Sequence, residues 1–98
     1  MVFELVFTPQ AEEDLTELEQ EGGLAAQLKA VRKCLGLMET NLRHPGLNTH
    51  ELKGKHGPDG EKVWEAYAQN QTPSAYRVIW YYGPGSRQIT IAAIVPHL

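Results

Sequence analysis

The last third of the chain restricts its fold more than any other part. Tyr76 to Tyr82 is a run of β-favouring residues, and Gln88 to Val95 alternates Ile89, Ile91, Ala93 and Val95 with Thr90, Ala92 and Ile94. Period-two patterning places side chains on opposite faces of a strand. Gly83-Pro84-Gly85 lies between the two runs and supplies turn chemistry, so they read as a β-hairpin. A hairpin alone is marginal in water and needs more strands or a helical layer. The residues before it offer both.

Val2 to Phe7 reads as a strand, with Phe3, Leu5 and Phe7 on one face and Val2, Glu4 and Val6 on the other. Thr8-Pro9 then marks a helix start, because threonine can cap and proline at the first helical position loses no needed N–H. Ala11, Leu15 and Leu18 follow at helical spacing until Gly22-Gly23 ends the element. Leu24, Leu28, Val31, Leu35, Met38 and Leu42 form a second, longer apolar stripe, stopped at His44-Pro45-Gly46. Residues 45–61 are rich in Gly, Pro, Asn and His and read as loop, and Val63 to Ala68 reads as a short strand. The order βααβββ predicts an α+β fold in a single domain, residues 1–98. Two N-terminal helices, near 9–21 and 24–43, should pack on one side of a mainly antiparallel four-stranded sheet with strands near 2–7, 63–68, 76–82 and 88–95.

Composition agrees with one globular unit: 98 residues, 42% hydrophobic and 21% charged. The single cysteine, Cys34, excludes an intramolecular disulfide and sits beside the second stripe, where a buried structural thiol is expected. No leader-like segment opens the chain and no apolar run reaches membrane length, so a cytoplasmic protein without a membrane partner is expected. The formal net charge is −3 but unevenly spread. Glu4, Glu12, Glu13, Asp14, Glu17, Glu19 and Glu21 stand before any basic residue, whereas residues 22–98 hold nine basic side chains against five acidic ones. With the acidic helix turned away, the remainder can present a positive surface.

The sequence from Thr8-Pro9 through Leu52-Lys53-Gly54 to Ala75-Tyr76-Arg77-Val78-Ile79-Trp80-Tyr81-Tyr82, closing on Pro96-His97, resembles the RelE/ParE superfamily of type II toxins. Val63-Trp64-Glu65-Ala66-Tyr67 with Thr72-Pro73-Ser74 resembles one subgroup. The resemblance spans nearly the whole chain. It implies a toxin neutralised by a cognate antitoxin. RelE-like members cleave mRNA in the ribosomal A site without a metal; ParE-like members share the fold and inhibit DNA gyrase instead. Fold cannot choose between them.

Metal-free RNA cleavage needs a base for the 2′-OH proton, a cation for charge growing on the phosphate, and an acid for the departing 5′-oxygen. Arg77, inside an apolar strand, is the candidate cation, since its planar fork suits phosphate oxygens. An ion pair with Glu65 or Glu4 is the alternative use. Glu65 and Tyr67 alternate and so share a face; Glu65 is a candidate base, and Tyr67 could position the phosphate or stack on a nucleobase. Some RelE-like enzymes carry a basic pair at this place, and here it is absent. His97, after the last strand, is the candidate acid. Lys53, Lys55 and His56, with Arg43, form a basic segment able to track an RNA backbone. His44, His50 and His56 match no metal-ligand motif, and no nucleotide-binding glycine loop occurs, so no cofactor is expected.

Overall fold

Thr8 joins the first strand to the first helix and binds both to the far end of the chain. The computed structural model describes residues 2–70 and 74–96. In it β1 (Glu4–Phe7) leads into α1 (Pro9–Gln20) and α2 (Ala25–Thr40). Four strands follow: β2 (His50–His56), β3 (Lys62–Tyr67), β4 (Tyr76–Tyr82) and β5 (Gln88–Pro96). The Thr8 hydroxyl accepts from the Ala11 N–H at 3.1 Å, capping α1, and donates to the Ala92 carbonyl at 2.9 Å. Ala92 is the extra residue of a bulge, because β4 pairs Ile79 with Ala93 but Trp80 with Ile91. Beyond the last β1 pair, Phe7 with Ile91, α1 takes over this edge of β5, and the Asp14 carboxylate accepts from the Ile94 N–H at 2.9 Å. Thr8→Ala therefore removes a helix cap and a tertiary hydrogen bond together. A loss of about 1–2 kcal/mol is expected in urea denaturation, with Thr8→Ser keeping most of it.

The sheet order is β1-β5-β4-β3-β2, and it corrects the sequence reading in two ways. Among the described residues there are five strands, not four, because His50–His56 forms an edge strand where a loop was expected. Apart from Leu52 and Gly54 its residues are polar, and most are exposed, so no apolar alternation marks them; pairing with β3 makes the strand. Gly54, at φ +85°, lies where the β2–β3 register breaks between Glu51 and His56. A side chain there would meet the left-handed steric penalty that glycine avoids. The second correction is that β1 pairs with β5 in parallel, giving a mixed sheet. The other pairings are antiparallel, including the β4–β5 hairpin through Gly83-Pro84-Gly85.

One face of the sheet presents Ala66, Val78, Trp80, Ile89, Ile91 and Ile94 to Ala11 and Leu18 of α1 and to Val31, Cys34, Leu35 and Met38 of α2. Alternation then turns Glu65, Tyr67, Arg77 and Ile79 to the opposite face. That division separates the core from the candidate chemistry.

Candidate active site

On β3, Glu65 and Tyr67 stand two residues apart; on β4, Arg77 lies opposite Tyr67 and Ile79 opposite Glu65. Arg77 Nη1 donates to Glu65 Oε1 at 2.8 Å, and the guanidinium carbon sits 4.4 Å from the centre of the Tyr67 ring. The arginine is thus held by a charge-assisted hydrogen bond and by the tyrosine face. Arg77 Nε is buried with no hydrogen-bond partner among the described residues.

A third strand completes the cluster. His50, at the start of β2, is the cross-strand partner of Glu65. Its Nε2 lies 2.9 Å from the same Oε1, and its ring meets Tyr67 edge-on at 5.4 Å. Its other nitrogen, Nδ1, lies 3.1 Å from the Asn48 carbonyl. Asn48 adopts a left-handed turn, φ 45°, just before the strand. Both ring nitrogens therefore face acceptors. A neutral imidazole has one N–H and satisfies one of them; the imidazolium satisfies both. Burial is graded: the Glu65 side chain is 8% exposed, Arg77 14% and His50 46%. The carboxylate is the floor of the site, and the imidazole is its accessible part.

Sequence reasoning had singled out Glu65, Tyr67 and Arg77, and the structure brings them together. The ion pair of Arg77 is with Glu65; Glu4 instead accepts from the Gln88 side chain at 2.8 Å. Lys53, Lys55 and His56 lie on the exposed second half of β2, and among the described residues no hydrogen bond or ion pair joins them to the cluster. His97 and part of the Thr72-Pro73-Ser74 motif lie outside the described residues. The residue that sequence reasoning missed is His50. Its signal was faint: a histidine just ahead of Leu52-Lys53-Gly54, visible only once that segment is taken as a strand paired with β3.

Cys34 stands apart from this site. It is buried on α2, with its thiol 3.9 Å from the Met38 sulfur, and burial pushes its pKa from 9.0 up to about 12. The folded protein holds this proton more tightly than the unfolded chain. The resulting stabilisation is complete below about pH 9 and lost as pH rises toward about 12. The thiolate is the reactive form. A thiol reagent at pH 8 should therefore label native protein only as fast as it opens, and denatured protein at once. Rapid native labelling would contradict a buried structural role. Among the described residues no three His, Cys, Asp or Glu side chains gather as a metal site, and no helix is long and apolar enough to cross a membrane.

No family model matches the chain, and no curated protein matches it. Solved structures do. A chain of the archaeal RelE–RelB complex from Pyrococcus horikoshii OT3 is similar at 16% identity over 98% of this chain and 96% of that one, with a TM-score of 0.65. The YoeB/ParE toxin from Agrobacterium tumefaciens is similar at 15% identity over 98% and 100%, with a TM-score of 0.68. A chain of the E. coli DinJ–YafQ toxin–antitoxin complex is similar at 13% identity over 99% and 94%, with a TM-score of 0.65. The five-stranded mixed sheet with its two helices is therefore the RelE/ParE toxin fold.

Proposed function

We propose that residues 1–98 form one toxin domain of a type II toxin–antitoxin pair, acting in the cytoplasm as a metal-independent, ribosome-dependent mRNA endonuclease. The observation that carries this reading is the state of Arg77. Its guanidinium is held at the sheet face by the Glu65 carboxylate and the Tyr67 ring, which places a planar cation suited to phosphate oxygens beside a carboxylate and an imidazole. In this reading Arg77 stabilises charge growing on the scissile phosphate. Glu65 is the base for the 2′-OH proton, with half-exposed His50 held on its Oε1 at the accessible edge of the site. The 2′-oxygen attacks the phosphorus and the bond to the 5′-oxygen breaks. His97 protonates that leaving oxygen, Tyr67 steadies the phosphate, and Lys53, Lys55 and His56 follow the RNA backbone. Primer extension on mRNA-programmed ribosomes tests the reading, and the expected result is cleavage within the A-site codon by the wild type and none of the same mRNA without ribosomes.

The same ion pair supports a second reading. Arg77 is already neutralised by Glu65, as it would be in a ParE-like, non-catalytic inhibitor of DNA gyrase or in a toxin that has lost activity. Inhibition of gyrase supercoiling without RNA cleavage would select the inhibitor.

The partner is proposed to be a cognate antitoxin. RelE–RelB and DinJ–YafQ are complexes of this kind, and a disordered partner segment that folds on binding is suited to holding a small domain. Co-expression with the adjacent reading frame should yield one co-eluting complex on size exclusion at micromolar concentration; separate elution would argue against the pairing.

A further inference from the structure

Beside the Arg77 cluster the same sheet face hollows into a groove of about 430 Å³. Val63, Ile79 and Ala92 line its floor, Tyr81 one wall, and Lys55 and His56 its rim. Ile79 is the cross-strand partner of Glu65, so the groove begins one pairing step from the catalytic carboxylate. Among the described residues no carboxylate lines it. Tyr81 also lines a second hollow, of about 250 Å³, where Asp59 and Glu61 stand. Tyr81, Thr8 and Pro58 line both hollows and together form the partition between the one with basic neighbours and the one with acidic neighbours.

We infer that the Lys55 side of this partition is a nucleobase subsite, holding the base of the nucleotide next to the scissile phosphate with Tyr81 against its face. The inference deepens the RNA-cleavage reading and rests on it. Three features select this occupant. An apolar floor with an aromatic wall suits the flat, π-faced body of a base. The cationic rim suits the phosphate that must accompany it, whereas the Asp59–Glu61 hollow would repel one. The groove also neighbours the cluster that would bind the cut phosphate, since its Ile79 pairs with Glu65, which suits one extended strand crossing both. Its apolar lining offers little hydrogen-bond readout, so the subsite stacks bases without choosing among them.

The test is steady-state cleavage on programmed ribosomes by the full chain and its variants. Tyr81→Leu keeps apolar bulk but removes the π-face, and should raise KM about tenfold at every cleaved position, the loss expected for one stacked base. Tyr81→Phe should retain the wild-type KM. Lys55→Ala, at an exposed position that does not threaten folding, should raise KM less and flatten its salt dependence by about the slope of one phosphate contact. Thermal melts establish that Tyr81→Leu is folded; if it is not, the Lys55→Ala result decides. Wild-type cleavage with unchanged KM in both Tyr81→Leu and Lys55→Ala would overturn the subsite while leaving the cleavage reading intact. Unchanged cleavage by Tyr81→Leu with loss of antitoxin binding would give the groove to the antitoxin and also overturn it. Absence of cleavage by the wild type would remove the reading beneath it.

Discussion

Arg77→Ala is expected to lose about 10²–10³-fold in cleavage rate on programmed ribosomes, the loss typical of deleting one preorganised electrostatic stabiliser. The effect should fall on kcat, because the charge that Arg77 meets grows in the transition state. Arg77→Lys should recover only part of the rate. An ammonium lacks the planar fork and cannot lie over Tyr67 as the guanidinium does at 4.4 Å. The comparison needs folded variants, since Arg77 also neutralises buried Glu65. Removing one partner of a buried pair leaves an uncompensated charge. Here His50 remains on the same carboxylate oxygen and softens that cost. Melts of each variant should accompany the assay. Full activity in folded Arg77→Ala would exclude the arginine from the chemistry.

Trp80→Ala carries the largest expected effect on stability. Trp80 is 1% exposed, stacks on Trp64 at 6.1 Å and meets Tyr82 edge-on at 5.0 Å. Removing so large a buried ring costs about 3–5 kcal/mol in transfer and cavity terms. Native domains hold only about 5–15 kcal/mol in total, so the variant should be largely unfolded or melt tens of degrees lower. Trp80→Phe should cost much less. It loses volume but also deletes the indole N–H, which is buried without a hydrogen-bond partner among the described residues. Urea denaturation followed by circular dichroism separates the outcomes. Wild-type stability in Trp80→Ala would mean that the sheet does not pack here as described.

Much of this architecture was legible because it rests on local rules. The stripe from Leu24 to Leu42, the cap at Thr8 and the alternation through β4 and β5 each declare a helix or strand within a few residues. The same alternation was enough to put Glu65 and Tyr67 on one face. Cys34 was readable as buried for the same reason, by its position beside an apolar stripe.

Three features were decided only by tertiary structure. His50–His56 has neither β-branched residues nor apolar alternation, and it becomes a strand because β3 offers an unpaired edge to which its backbone can bond. The parallel pairing of β1 with β5 joins residues from opposite ends of the chain, and no local pattern specifies a partner that remote. The candidate site depends on both kinds of information. Arg77, Glu65 and Tyr67 were visible from residue type and period, whereas His50 enters only through the register of the hidden strand. A side chain's face is set by its own segment. The side chains it meets are set by hydrogen-bonded neighbours that only the folded sheet brings alongside.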